Sequence, residues 1–180
     1  MVSIPPAYLP IGVTLRSGMW REVVQLDAVH LIKATRHALA ECESVEEIVA
    51  ESWQVQALAG AIGSHLAACG PQSVRTEARG LGETGRQAWH AAVSSPAGPG
   101  EAPAARADRL SQIQDPECAL SDLSALLAEA GVALVLVAVS AREEGLYWQC
   151  IEAIDAADES QDRVTGILRR LKTPEHGPAA

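Results

Sequence analysis

Aromatic residues are scarce in this sequence, since phenylalanine is absent and the aromatic fraction is only 3%. The hydrophobic fraction is nevertheless 48%, so a core has to be built mainly from alanine, leucine, valine and isoleucine. Such a core favours closely packed helices. The 180 residues suffice for one domain that buries a core without metal or disulfide staples. The composition therefore indicates an all-α fold.

Basic residues are also in the minority, with 14 lysines and arginines against 23 aspartates and glutamates. The formal net charge of -9 repels phosphate backbones instead of neutralising them. This charge balance excludes autonomous nucleic-acid binding from the expected functions.

Closely spaced cysteines are missing as well, because Cys42, Cys69, Cys118 and Cys150 lie far apart and form no CxxC motif. This spacing signals neither a zinc site nor a redox dithiol. We interpret the four cysteines as buried thiols of a cytosolic protein. The sequence predicts no bound metal and no cofactor.

The N-terminal segment has no basic start and is cut by Pro5, Pro6 and Pro10, which makes it a poor secretion signal. The most apolar run, Ala130 to Val139, is well short of the roughly 20 residues that a membrane span needs. It predicts a buried helix, with a core strand as the alternative. These features predict a cytoplasmic protein without a membrane partner.

Capping residues, glycines and prolines divide the chain into five predicted helices. Ser44 to Glu47 forms a capping box that starts one helix, and Asp115 with Pro116 combines an N-cap with proline at the first helical position. The predicted helical ranges are Trp20 to Cys42, Ser44 to Gly70, Ser73 to Val93 with glycine interruptions, Pro116 to about Ala141, and Glu143 to Leu171.

These helices predict one antiparallel bundle, because two or three helices on either side of the linker would leave their apolar faces incompletely buried. We expect a disordered or loosely packed tail over residues 1–18 and a single helical domain over residues 19–172. Within the domain, the composition of residues 94–107 predicts a flexible linker. Residues 173–180 are expected to form a disordered tail.

The last predicted helix contains the least generic stretch of the chain, EEGLYWQCIEAIDAADES from Glu143 to Ser160. At 100° per residue, one side of this helix is an apolar seam of Cys150, Ile154, Ala157, Gln161, Val164, Leu168 and Leu171. Nearly opposite lie four carboxylates, Glu152, Asp155, Glu159 and Asp162. They form either a solvated face or a surface that binds a basic partner.

Aromatic residues at the start of the same helix have two interpretations. Tyr147 and Trp148 either cover the end of the bundle or line an interface or ligand pocket, where tyrosine and tryptophan are enriched. The four tryptophans are spaced like anchors of an alanine-rich core: Trp20, Trp53, Trp89 and Trp148. The candidate interaction surface consists of Tyr147, Trp148, Gln149 and the four carboxylates.

Two motifs imitate ligand sites, but their context favours structural roles. The GxGxxG pattern at residues 80–85 follows a charged, helix-like lead-in instead of a buried strand, so it predicts close packing and no dinucleotide. Four residues in one sector of the first helix imitate a metal motif of helical bundles: Asp27, His30, His37 and Glu41. Their offset from the apolar face predicts an exposed flank.

Three stretches of the chain resemble a small uncharacterised family of actinobacterial proteins, a domain of unknown function. They are LDAVHLI (Leu26 to Ile32), ARGLGE (Ala78 to Glu83) and EEGLYWQCIEAIDAADES. The resemblance covers Leu26 to Leu171 and implies a cytoplasmic actinobacterial helical protein. It carries over no catalytic residue, because the family has no established activity.

These features favour a non-catalytic protein-interaction module whose partner is another protein or a second copy in a homodimer. One alternative is a small-molecule-binding bundle or enzyme, with a pocket lined by Tyr147, Trp148, Gln149 and either His30 or His37. A weaker alternative is a relative of HEPN-type nucleases or antitoxins, which the spacing of Arg170 and His176 resembles.

Overall fold

The computed structural model describes residues 26–94 and 106–173. The predicted tail over residues 1–18, the start of the first predicted helix, residues 174–180 and most of the predicted linker lie outside these ranges. Five helices account for most of the described chain: α1 (Ala28–Ala40), α2 (Val45–Cys69), α3 (Arg75–Ser94), α4 (Pro116–Ser140) and α5 (Glu144–Lys172). The predicted all-α fold is confirmed.

Two short strands, one ahead of α1 and one ahead of α4, pair in parallel. Strand β1 (Leu26–Asp27) lies beside strand β2 (Leu110–Gln112). The prediction that the first helix already includes Leu26 and Asp27 is therefore wrong. The Asp27 side chain caps α1 by accepting a hydrogen bond from the amide of Val29 at 3.1 Å, so the helix begins at Ala28.

The predicted capping signals act as expected at α2 and α4. Ser44 and Glu47 form a complete capping box at the start of α2, which ends at Cys69 before Gly70. Asp115 accepts a hydrogen bond from the amide of Cys118 at 3.0 Å, and Pro116 is the first residue of α4.

The glycines of α3 do not interrupt it, contrary to the prediction: Gly82 and Gly85 pack closely against α2, and Gly80 faces Arg163 of α5. A Cβ atom added to Gly85 would lie 2.4 Å from the nitrogen of Gly60. One added to Gly63 would lie 2.5 Å from the nitrogen of Gly82. The two helices run antiparallel, since higher numbers on α3 meet lower numbers on α2. The GxGxxG pattern is thus a packing motif of two helices.

Helix α2 is the central element, with every residue from Ser52 to Gly60 buried. One large core cluster combines residues of all five helices, and a second cluster at the other end of α2 surrounds Trp53. Between α2 and α5 a buried hydrogen bond of 2.9 Å runs from Ser160 to Gln56. A buried polar pair that satisfies itself in this way restricts how the two helices can slide past each other.

The C-terminal end of the predicted linker is held against α2. Residues 106–109 form a short 3-10 helix, so the C-terminal end of the range 94–107 is ordered, and Ser94 ends α3. The Arg106 guanidinium donates to Glu51 at 2.8 Å, and its backbone amide donates to Gln54 at 3.1 Å. The hydrogen bond to Glu51 raises the pKa of Arg106. This ion pair positions the chain ahead of β2.

The buried side of α5 is rotated from the predicted seam. Cys150, Ala157 and Val164 are buried as predicted, but Ala153, Ser160 and Ile167 occupy the remaining buried positions. The predicted seam residues Ile154, Gln161, Leu168 and Leu171 are half-buried. The rotation has a direct cause, because α5 packs against α2, α3 and α4 together and its buried arc is centred between them.

Candidate functional site

Tyr147 and Trp148 lie in the second turn of α5 and are both exposed, at 42% and 55%. Their rings meet edge to face with centroids 5.4 Å apart. The Trp148 ring nitrogen also donates to the Glu144 carboxylate at 3.4 Å. Trp148 is therefore not a core anchor, whereas Trp53 is buried and Trp89 half-buried. The prediction for Trp20 lies outside the described residues.

The four predicted carboxylates, Glu152, Asp155, Glu159 and Asp162, are all exposed. Three of them line one side of a groove of about 320 Å³ between α3 and α5, which we call the α3–α5 groove; they are Glu152, Asp155 and Glu159. The buried Trp53 also lines this groove, and Glu159 accepts a hydrogen bond from Thr84 at 3.0 Å. Gln149 is half-buried.

The other motifs singled out in the sequence do not assemble into a site. His30 and His37 are exposed on α1, and Glu41 is exposed at its C-cap. Asp27 accepts hydrogen bonds from the amides of Val29 and Gln114, which links α1 to the segment after β2. Within the described residues, no group of three or more histidine, cysteine, aspartate and glutamate side chains could hold a metal ion.

Arg170, one of the two residues that resemble the HEPN pattern, is engaged in an ion pair. Its guanidinium donates to Glu77 at 3.0 Å, which joins α5 to α3. His176 lies outside the described residues. The visible role of Arg170 is thus to hold two helices together.

The cysteines do not share one environment, so the prediction that all four are buried is wrong. Cys150 is buried beneath α4, and this burial raises the pKa of its thiol. Cys42 is half-buried, and burial is the main cause of its raised pKa. Cys69 and Cys118 are exposed. The raised pKa makes Cys150 and Cys42 poor nucleophiles, because the thiolate is the reactive form.

In the described part of the chain, the exposed large aliphatic side chains lie on α4, where the sequence predicted a buried helix. The helix is confirmed, but only one side of it is covered. Four large side chains on the opposite side are exposed: Val132 at 63%, Val135 at 46%, Leu136 at 67% and Val139 at 84%. This surface was missed because a helix that is apolar all round is normally buried.

Three smaller residues continue the same surface toward the start of α4. Ser121, Ala125 and Ala128 are exposed and precede Val132, Val135 and Val139 at alternating steps of four and three residues. Such spacing places all six side chains on one seam of the helix. We call this seam, together with Leu136, the outer face of α4. Its 4-3 repeat is visible in the sequence, but the repeat predicts only a shared side of the helix and not its exposure.

A groove of about 400 Å³ runs beside the outer face, between α4 and α5. Ala128, Gly131, Val132 and Val135 line it on α4, and Ile154 and Gln161 on α5. We call it the α4–α5 groove. Tyr147 precedes Ile154 by seven residues, so it lies on the same side of α5. The groove and the outer face therefore form one continuous apolar surface that extends toward Tyr147.

One buried polar atom in this groove lacks a hydrogen-bond partner among the described residues. The Gln161 amide nitrogen donates to Ser124 at 3.1 Å, which orients the side chain. Its oxygen Oε1 is buried and has no hydrogen-bond partner among the described residues. A buried acceptor without a donor is unfavourable by about 1–3 kcal/mol.

Two carboxylates, Glu129 and Asp158, border the outer face and the α4–α5 groove. Glu129 borders the outer face and is paired with Arg36 of α1, whose Nε lies 2.9 Å from the carboxylate. Arg36 also donates to the backbone oxygen of Asp122 at 3.2 Å. Asp158 lies on the α5 side of the groove. Helix α4 itself contains no lysine or arginine.

Helix α4, Pro116–Ser140, is long and apolar enough to cross a membrane when length and composition alone are considered. In the described part of the chain it alone meets that test, and 39% of its most apolar window is buried in the protein. Core helices of soluble proteins meet the same test. The inner side of α4 supplies leucines to the large core cluster, as a core helix does.

The model of a family of unknown function, DUF6099, matches residues 26–170 of the chain. Because the match covers most of the 180 residues, the chain belongs to this family. The resemblance to an uncharacterised family is thereby confirmed. Comparisons with curated proteins and with solved structures gave no match.

Proposed function

We propose that this family member is a non-catalytic protein-interaction module that binds another protein through the outer face of α4. The observation that supports the proposal is the exposure of Val132, Val135, Leu136 and Val139 on one contiguous surface. Monomeric soluble proteins rarely expose contiguous apolar patches above a few hundred Å², and larger patches mark interaction sites. A partner that covers this surface removes the cost of hydrating it.

A protein partner fits this surface better than a membrane. Helices that lie in the membrane interface carry lysine and arginine on their polar side, which attract anionic lipids. Helix α4 has neither residue, and the chain carries a net charge of -9. An anionic bilayer would therefore repel the protein around the face that has to insert.

The proposed surface overlaps only in part with the surface expected from the sequence. Tyr147 is exposed and lies on the side of α5 that carries Ile154, a residue of the α4–α5 groove. Glu152, Asp155 and Glu159 lie instead on the side of α5 that faces α3. The proposal therefore separates Tyr147 from the three carboxylates, whereas Trp148 precedes Glu152 by four residues and lies on their side of α5.

Site-specific photo-crosslinking in cells tests the proposal. A photoreactive amino acid at position 139 would replace the most exposed large side chain of the outer face, and a control at position 155 would sit on α5 beside α3. We expect protein adducts from position 139 and few from position 155. Adducts from neither position, or mainly from position 155, would contradict the proposal.

A second candidate function is the binding of a small organic cation in the α3–α5 groove. Trp53 is buried at this groove, and three carboxylates line it. Aromatic faces and carboxylates both attract ammonium groups. A rise in the melting temperature with spermidine, lost in the Asp155→Asn variant and retained in Asp158→Asn, would support it. An equal rise in both variants would indicate nonspecific attraction to the acidic protein.

A further inference from the structure

We infer that the partner of the outer face is a second copy of this chain, with the two α4 helices packed antiparallel around a twofold axis. The inference rests on the proposed function, because it requires that this face binds protein. It adds the identity and orientation of the partner.

The outer face changes in residue size along α4. Its first half consists of Ser121, Ala125 and Ala128, and its second half of Val132, Val135 and Val139. All six side chains are exposed, so the change in size is a property of the free surface. The narrow half leaves space for large side chains, and the wide half supplies them.

An antiparallel second copy matches these two halves. If the axis passes at the level of Ala130, residues equally far from Ala130 on the two helices lie opposite each other. Val132 then faces Ala128, Val135 faces Ala125, and Val139 faces Ser121. Every layer pairs a large residue with a small one, which is the packing that interlocks helices without voids. A twofold interface requires a self-complementary patch of this kind.

The length of the surface is compatible with a stable dimer. From Ser121 to Val139 the helix rises roughly 27 Å at 1.5 Å per residue. A strip one helix wide falls short of the about 800 Å² per partner that stable interfaces bury. The α4–α5 groove widens the strip, because it adds Ile154 and the side of α5 that carries Tyr147. The second copy has to cover both helices.

The charges predict how salt affects this association. Each copy carries a net charge of -9, whereas Glu129, at the edge of the outer face, is already paired with Arg36. The attraction between the two copies therefore comes from apolar contacts, and the repulsion comes from the negative charges on the rest of each copy. Added salt screens that repulsion. The dimer should become tighter at higher ionic strength, and a complex with a basic partner would become weaker.

Sedimentation velocity of the purified full chain across the micromolar range tests the inference. We expect a monomer–dimer equilibrium that shifts toward the dimer as salt increases. Val132→Ala should weaken the dimer by at least about tenfold, because each dimer loses two buried valine side chains. Ala91→Val on α3 is the control, since it alters an exposed alanine in the α3–α5 groove, outside the outer face, and should leave the equilibrium unchanged.

A size exchange tests the orientation independently of folding. Ala128→Val places valine against valine and should also weaken the dimer. The double variant Ala128→Val with Val132→Ala restores one large and one small residue in the layer, so it should recover most of the wild-type affinity. Losses that simply add in the double variant would contradict the antiparallel register.

The outcomes separate the inference from the proposed function. A wild-type protein that stays monomeric, together with crosslinks from position 139 to other proteins, overturns the second copy and leaves the proposed function intact. A monomer without crosslinks overturns both. Co-sedimentation of the monomer with anionic vesicles would assign the outer face to a membrane and would also overturn both.

Discussion

The inner and outer sides of α4 are made of similar aliphatic residues, yet only the inner side is packed. Leu120, Leu123, Leu126 and Leu127 are buried against the other helices. Val132, Val135, Leu136 and Val139 face solvent on the same helix. The difference does not come from residue type, and it is set by which neighbours the fold supplies. An apolar helix in a small bundle can therefore have a covered side and a free one.

The same substitution made on both sides of α4 tests directly whether they differ in burial. Leu134→Ala removes a buried side chain from the inner side and should lower the free energy of unfolding by about 2–5 kcal/mol. Leu136→Ala removes an exposed side chain and should change it by less than about 0.5 kcal/mol in the monomer. Urea denaturation at low protein concentration measures both. Equal losses would mean that the two sides are equally covered.

The α2–α3 interface is packed far more tightly than the outer face of α4, because it has no space for one added carbon atom at Gly63. Gly63→Ala would bring its Cβ atom within 3 Å of three backbone atoms of α3, so the helices have to separate. We expect a loss of about 1–3 kcal/mol in the free energy of unfolding. Gly145→Ala is the matched control, since nothing lies within 4 Å of its added carbon. A stable Gly63→Ala protein would show that this interface is looser than the structure indicates.

Thiol labelling compares the two sides of α4 without any substitution. Cys150 lies beneath the inner side, and burial raises the pKa of its thiol. Cys118 is exposed at the start of the helix. Cys118 should react with a maleimide at least about tenfold faster, because Cys150 requires local opening and ionisation. Mass spectrometry of partially labelled protein measures both rates, and equal rates would indicate an open inner side.

The smallest expected effect lies far from both sides of α4, at the cap of α2. Hydrogen bonds from the amides of Glu43 and Ser44 lower the pKa of Glu47 from its ordinary value of 4.5. A lowered folded-state pKa stabilises the fold above the unfolded-state pKa, and this contribution disappears as the pH falls through the folded-state value. The difference in unfolding free energy between wild type and Glu47→Ala should therefore shrink at acidic pH. A difference that grows on acidification would contradict the assigned hydrogen bonds.

Local signals in the sequence predicted the helix boundaries where one side chain makes the cap. Ser44 with Glu47, and Asp115 with Pro116, start helices at the expected residues. The start of α1 was wrong because Leu26 pairs with Leu110, which is 84 residues away in the chain. A pairing at that distance leaves no trace in the local pattern.

The candidate site could be predicted only in part for a similar reason. Tyr147 and Trp148 stood out as unusual residues, and both are exposed. Nothing local to Val132 or Leu136 tells whether another helix covers them. The spacing of apolar residues in α4 is consistent with burial of one side or of two sides. The number of helices that pack around α4 decides which of these occurs.

By itself, the sequence determined that this chain forms helices, where several of them begin, and that the chain is acidic. These properties depend on residues close together in the chain, on their intrinsic propensities and on total charge. Only the tertiary structure decided that Gly82 and Gly85 of α3 pack against α2, that three carboxylates of α5 line a groove beside α3, and that one side of α4 is exposed. Each of these depends on the relative placement of whole helices, which long-range packing sets.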